Sequence, residues 1–344
     1  MINKQCIRAA GLAVAVAFAT PAFAGGVTVS DTEKGKLKLG GKAFISATNT
    51  TTKVPGTPNT SAKSFNIDRF YIEAKYYIDD TWMARFTTDV NNETPVAGLK
   101  RKSNIFLKYA YIEGKFSDAL QLRLGLSHTP WIDYEQHLWG HRYVAKVASD
   151  HYKFDDSADY GVGLKGKLAD GMVNYWVTAS NGGGYGNPTN TNNTFDYAGR
   201  VSLAPVEGAD ISVGYRTGYR ANALAASANL EKLIELMASY GNKQWRLGAG
   251  YMNRKTGTIN TSDDKTMSVW GWAKFADKFG GFARYDDNKA KPFAAATYND
   301  KRYVVGAEYF AAHGMSYSLA WTGTNNTNTN TKVDVIGIYS QFKW

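Results

Sequence analysis

Arginine and lysine recur at alternate positions along several short segments of this sequence. Arg69, Arg85, Arg123, Lys165, Lys167, Arg216, Arg246, Arg284 and Arg302 each lie on the charged face of a run whose other face carries little or no charge. On those same faces basic residues outnumber acidic ones by roughly two to one, on an alternation that holds for strands. A guanidinium presents a planar fork of donors that matches two oxygens of a phosphate or a carboxylate. Basic groups lining a partly dehydrated passage favour anions over cations. The chemistry these residues point to is selection of small anions rather than the making or breaking of bonds. The competing reading is a merely polar lining whose charges pair with Glu73, Asp89, Glu113, Asp210, Glu235, Asp286 and Glu308.

A second group sits in one segment, from about Thr129 to Ser157, whose composition differs from its surroundings. It mixes aromatic residues with both signs of charge, including Asp133, Glu135, His137, His141, Arg142 and Lys146. A loop of this length with its own composition is usually functional. We expect it to fold into a pore as a constriction; the alternative is an external flap or subunit latch. His137 and His141 would suit a metal only on one helical face, and no matched carboxylate spacing supports that. No metal site is expected, and partial protonation of these histidines near neutral pH is the more plausible role.

Other chemistries find little footing. The lone cysteine, Cys6, falls in the N-terminal leader, so disulfide, thiolate and zinc–cysteine chemistry is not expected. The run Gly161-Val-Gly163-Leu-Lys-Gly166 matches a dinucleotide fingerprint as text, but it lies inside an alternating strand and opens no helix. No Gly-x-Ser-x-Gly elbow occurs. We expect no enzyme activity, no cofactor and no nucleic-acid partner. An outer-membrane receptor or adhesin, or a barrel hydrolase, is the alternative function.

The elements that must carry the basic faces are strands. Phe70, Ile72, Ala74, Tyr76 and Ile78 alternate with Tyr71, Glu73, Lys75 and Tyr77; Asp79-Asp80 turns the chain; Trp82, Ala84, Phe86, Thr88 and Val90 resume the apolar face. Period two with one uncharged face is a strand signature. Similar segments lie near 36–48, 104–116, 119–128, 159–168, 172–181, 195–204, 210–220, 231–241, 244–254, 266–276, 279–287, 301–310, 315–322 and 333–344, for about sixteen in all. Short turns alternate with longer Asn-, Thr- and Gly-rich connections such as Gly182 to Thr194 and Thr322 to Thr331. That asymmetry predicts an all-β, transmembrane antiparallel barrel of about sixteen strands with an infolded third loop, its short turns periplasmic. Lys108 and the pair Leu233 and Met237 break the pattern, by strand ends, bulges or subunit contacts.

The ends fit export. Lys4 and Arg8 precede an apolar stretch from Ala9 to Thr20, and Ala22-Phe23-Ala24 is a small-x-small cleavage signal. Residues 1–24 read as a cleaved signal peptide and 25–344 as a single barrel. The formal charge of +10 falls to about +8 without Lys4 and Arg8. The last strand places Ile336, Ile338, Ser340, Phe342 and Trp344 on one face. Its terminal aromatics, Phe342 and Trp344, suit an interface girdle and read as the assembly signal.

The stretch from Asn66 to about Trp131, carried by "IDRFYIEAKYYIDDTWMARFTTDV" and "LKYAYIEGKF…LQLRLGLSHTPW", resembles the phosphate-selective porin family of the porin O and P type. "DYGVGLKGKL" at 159–168 resembles the strand that follows the constriction loop. The resemblance covers about a third of the chain. It implies a sixteen-stranded Gram-negative outer-membrane porin, a homotrimer with a basic pore, in which Arg69, Arg85 and Arg123 are the best anion-path candidates. Implied partners are small anionic solutes, the lipid and lipopolysaccharide of the outer membrane, and the machinery that inserts its barrels.

Overall fold

The structure is a computed structural model that describes residues 26–92, 103–190, 193–220, 230–257, 262–292 and 296–344. The leader expected at 1–24 lies outside the described residues. Seventeen strands form one sheet. They are β1 (Val27–Thr32), β2 (Gly35–Lys53), β3 (Thr60–Tyr77), β4 (Trp82–Asn92), β5 (Ser103–Lys115), β6 (Gln121–His128), β7 (Ala158–Leu168), β8 (Val173–Ser180), β9 (Asp196–Leu203), β10 (Ala209–Gly218), β11 (Glu231–Gly241), β12 (Trp245–Thr256), β13 (Ser262–Ala276), β14 (Phe279–Lys291), β15 (Tyr298–Ala312), β16 (Met315–Asn326) and β17 (Thr331–Lys343). Each strand from β2 onward pairs antiparallel with the next, and β17 pairs back onto β2, closing a sixteen-stranded barrel. Closure leaves no edge, which is what allows a sheet to cross a bilayer.

The sixteen segments expected from alternation are these sixteen barrel strands. β1 is additional. It folds back on the start of β2, with Thr32 opposite Gly35 and Val27 opposite Leu39, on the edge of β2 that β17 leaves free below Lys42.

One expected loop is instead largely strand. The segment 322–331 is hydrogen-bonded as far as Asn326 opposite Thr331, leaving a tight turn where a long connection was expected. β2 and β3 likewise run to Thr52 opposite Thr60, well beyond the expected ends at 48 and 70. Threonine-rich segments look loop-like by polarity, but threonine is β-branched and favours extended backbone. Facing hydroxyls hold the hairpin, with Thr48 and Ser64 3.1 Å apart and Thr51 and Ser61 3.2 Å apart. The turn at Asp79-Asp80 is as expected: the Asp79 carboxylate accepts from the amides of Thr81 at 2.8 Å and Trp82 at 2.6 Å.

The two faces separate as the sequence pattern requires. Ile72, Phe86, Ile112, Leu124, Val201, Val213, Leu236, Val269, Val305, Leu319 and Ile336 are exposed on the outside. A continuous apolar belt of this extent has no place in water and matches the hydrocarbon face of a transmembrane barrel. Aromatics such as Trp82, Phe116, Trp245, Phe279 and Phe342 ring its short-turn end. Tyr303, Trp321 and Tyr197 lie toward the other.

Both exceptions to the pattern resolve. The ladder pairs Thr87 with Tyr109 and Thr88 with Leu107, skipping Lys108. This bulge turns both Lys108 and Tyr109 inward. Leu233 and Met237 share the inner face with Glu235 because they pack against the third loop inside the barrel.

Trp344 closes the barrel by exchanging main-chain hydrogen bonds with Gly41, at 3.0 and 3.2 Å. A Cβ on Gly41 would stand 2.2 Å from the Tyr71 carbonyl and 2.4 Å from the Trp344 ring. Gly41→Val should therefore unseat Trp344 and lower the yield of heat-modifiable folded barrel several-fold on refolding into vesicles, as should deletion of Phe342 to Trp344. Wild-type yields from both would show this seat to be dispensable.

Candidate functional site: a half-filled lumen

Residues 129–157 run inside the barrel and carry two helices, α1 (Ile132–Trp139) and α2 (Ala148–His151). Gly140 ends α1 in the left-handed conformation, at φ 75°. Helical period sorts the side chains of α1. Ile132, Glu135, Leu138 and Trp139 are buried against the barrel wall, whereas Asp133 and His137 face open space.

An apolar core fills that side of the lumen. Trp131, Ile132, Leu138, Trp139, Tyr143 and Val147 pack on Phe44, Met237, Trp270, Phe282, Val304, Ala320 and Tyr339 from the strands. Burial of each large apolar side chain contributes about 1.5–3 kcal/mol. Polar anchors surround this core. The Glu135 carboxylate, 2 % exposed, accepts from Ser149 Oγ at 2.6 Å, Ala148 N at 3.2 Å and Arg284 Nη2 at 3.0 Å. Asp286 bridges Arg284 at 2.8 Å and Arg302 at 2.5 Å, and Arg302 also donates to the Lys146 carbonyl at 2.8 Å. Glu308 accepts from Tyr143 at 2.7 Å and pairs with His141 Nε2 at 3.0 Å. Arg216 binds Glu231 at 2.8 Å and the Phe154 carbonyl at 2.9 Å.

The opposite wall, from β2 to β5, stays open. A cavity of about 330 Å³ there is lined by six cationic side chains, Lys38, Lys42, Arg69, Lys75, Arg85 and Lys343, and two acidic ones, Glu73 and Asp133. Rings hold the cations in place. The Arg69 guanidinium lies 4.5 Å from the Tyr71 ring centre and Arg85 4.8 Å from Tyr109. Such contacts cost a cation little of its charge and fix its direction. Arg85 also pairs with Glu73, and Arg69 Nε lies 3.4 Å from Asp89.

The sequence-derived candidates therefore divide. Arg69 and Arg85 line the cavity. Arg123 and Lys165 lie further round the wall, sharing Glu113 at 2.5 and 2.9 Å, with Arg123 5.0 Å from the Trp176 ring. Lys167 is exposed near the short-turn end, and Arg246 donates to Ser239 at 2.9 Å and to the Gly208 carbonyl. Arg216, Arg284 and Arg302 grip the loop. Of the loop candidates, only Asp133 lines the cavity. Arg142 and Lys146 both pair with Asp150 at 3.2 Å. Burial would raise the Asp150 carboxyl, but these two cations hold it below its ordinary range.

The histidines do not form one site. His141 lies beyond the Gly140 cap and is buried on Glu308, while His137 is exposed on α1. Burial, with Arg302 nearby, pushes His151 down to about 3. Sequence reasoning missed Lys38, Lys42 and Lys343. Lys38 and Lys42 share the parity of Phe44, whose inward apolar ring hid the face from a rule based on charge.

No family model and no curated protein matches the chain. Solved structures do. The outer membrane channel DcaP of Acinetobacter baumannii superposes with a TM-score of 0.66 at 8% identity, covering 93% of this chain and 99% of that one. An anion-selective porin from Comamonas acidovorans gives 0.65 at 12% identity, over 90% and 100%. OmpT, an outer membrane protein of Vibrio cholerae, gives 0.62 at 13% identity, over 92% and 99%. The chain has the barrel fold of these outer-membrane proteins.

Proposed function

We propose that the chain is a porin of the Gram-negative outer membrane that passes small hydrophilic solutes passively and prefers anions, phosphate-like oxyanions or small carboxylates. The observation that carries this reading is the cationic cavity between the loop and the β2–β5 wall, where six cationic side chains face two acidic ones. Across a passage this narrow, water screens charge less than in bulk, and a net positive lining favours anions. Arg69 and Arg85, held by aromatic rings, are the groups we assign to the anion path, with Lys42 added. Arg123 and Lys165 extend it along the wall. Phosphate selectivity, suggested by the sequence resemblance, is one outcome within this class.

Reversal potentials of single channels in a planar bilayer, with chloride, phosphate and small carboxylates in turn, test the proposal. Chloride should be preferred over potassium at low salt. A potassium-preferring pore would overturn the anion reading, and a barrel that conducts nothing would favour the receptor or hydrolase alternative. Protease treatment of intact cells should cut within 182–194 and spare Asp79-Asp80; cleavage confined to the short turns would invert the orientation. A trimer is the expected assembly, as a trimer form is described for OmpT of Vibrio cholerae. Native electrophoresis of the folded protein checks it.

A further inference from the structure

The long connection between β8 and β9 begins by turning back into the lumen. Asn181 donates to the Tyr160 carbonyl at 2.9 Å, and Gly182 donates to the Asp159 carboxylate at 2.8 Å. Gly184 has a φ of 68°, in the left-handed region that favours glycine, and a Cβ there would stand 2.8 Å from the Asp156 carboxyl carbon. This tight fold carries Tyr185 to the inner face of β5, three strands away from β8. There its ring stacks on Phe106, with centres 5.4 Å apart and planes inclined by 15°. It also packs against the cluster that holds Tyr71, Tyr109 and Tyr111. Residues 186–189, just beyond it, are exposed.

Tyr185 covers a cation. The bulge in β5 turns Lys108 inward, and its ammonium lies 3.3 Å from the centre of the Tyr185 ring. A hydrogen bond of 2.6 Å to Ser157 Oγ also holds it. Lys108 is 2 % exposed, and among the described residues it pairs with no carboxylate. Burying an ammonium without a counter-charge is costly, and the face of a ring offsets only part of that cost. Strand order fixes the height of the pair. β5 runs from Ser103 at its long-loop end to Lys115 at the short turn, so Phe106 and Lys108 stand on the long-loop side of Tyr109. Tyr109 and Ser157 line the cationic cavity. Tyr185 and Lys108 therefore lie between that cavity and the long-loop mouth.

We propose that Tyr185 and Lys108 form a specificity-determining gate on the long-loop side of the cavity, which a small anion opens by taking the place of the ring on the ammonium. The arriving anion supplies the charge that Lys108 lacks, through a charge-assisted hydrogen bond. Gly182, Gly183 and Gly184 let Tyr185 withdraw while the strands stay paired. A neutral solute of similar size offers the ammonium no such exchange, so the ring stays in its way. The inference rests on the passive-porin reading and adds that the β8–β9 connection, as well as the third loop, selects what enters.

The test uses the full folded barrel in lipid vesicles and follows uptake of labelled lactate and of labelled arabinose, a neutral sugar. Tyr185→Ala should speed arabinose uptake by at least about threefold and lactate uptake less, so that the lactate-to-arabinose ratio falls. Gly184→Val, which cannot seat the connection against Asp156, should reproduce that change. Lys108→Met should slow lactate uptake by at least about threefold, since the ring then covers an uncharged chain that no anion displaces. Thr189→Ala, in the exposed part of the same connection, should keep the wild-type ratio. A wild-type ratio in Tyr185→Ala, or wild-type lactate uptake in Lys108→Met, overturns the gate and leaves the porin reading standing. A wild-type barrel that passes neither solute overturns the porin reading and the gate with it. Should Tyr185→Ala lack the heat-modifiable mobility of a folded barrel, Gly184→Val decides in its place.

Discussion

Replacing Arg69 and Arg85 together by glutamate should abolish the channel's preference for anions. The change leaves four cationic and four acidic side chains around the cavity where there were six and two. It also places a carboxylate beside Glu73 and another beside Asp89, each of which has lost its arginine. A unit charge about 4 Å from a permeating ion is worth about 1 kcal/mol even in bulk water and about 4 kcal/mol at an effective dielectric of 20. Since about 1.4 kcal/mol is a factor of ten, reversing two charges should lower the chloride-to-potassium permeability ratio by at least about tenfold at low salt. The effect should shrink at 1 M salt. Conductance should persist, because neither residue contributes to barrel closure. Arg246→Glu is the control: that residue is bound near the short-turn rim, outside the cavity, and should shift the ratio little. Reversal potentials that respond equally to both variants would place the selective step elsewhere.

Glu135→Ala should loosen the loop without opening the barrel. The substitution deletes three hydrogen bonds that tie α1 to α2 and to the wall. It also leaves the Arg284 guanidinium, whose side chain has no exposed surface, sharing Asp286 with Arg302. Breaking one partner from a buried ion pair costs about 3–5 kcal/mol. Opposing this are the apolar side chains of the loop, several of them worth about 1.5–3 kcal/mol each. The balance favours a loop that stays docked most of the time but fluctuates. Single-channel records should show excess open-state noise and larger conductance excursions, and limited proteolysis should cut within 139–157 at least tenfold faster. The heat-modifiable mobility of the barrel should be unchanged, because the sheet closes through β17 and β2 on ladders that the loop does not enter. A quiet channel with wild-type protection would mean that the apolar core alone holds the loop.

The barrel and the position of its long third loop were legible from residue order, because each depends on a local signal. Alternation along a strand reports which side chains meet lipid, since a charge in hydrocarbon is costly whatever surrounds it. Hence Ile72, Phe86 and Trp82 could be placed outside before any neighbour was known. Length and composition singled out 129–157 for a related reason: a segment rich in both aromatics and charges must bury the first and pair the second. Where polarity stood in for conformation the reading failed, as at 322–331 and at the ends of β2 and β3 beyond 48 and before 70, because hydroxyl-rich threonine strands look like loops by composition alone.

The division of labour among the basic residues was decided only by the tertiary structure. Arg85 and Arg284 are indistinguishable in sequence: each is an inward arginine in an alternating strand with an acidic residue nearby. One stands on the open β2–β5 wall and lines the cavity, while the other is sealed beneath Glu135. The difference lies in which side of the lumen the loop covers. That depends on whether the facing wall is apolar, as at Phe44, Met237, Trp270 and Phe282, residues distant in the chain and inward only because a loop from elsewhere arrives to cover them. Periodicity reports a side chain's face, but whether that face meets water or protein is set by contacts between distant segments, and those exist only once the barrel has closed around its loop.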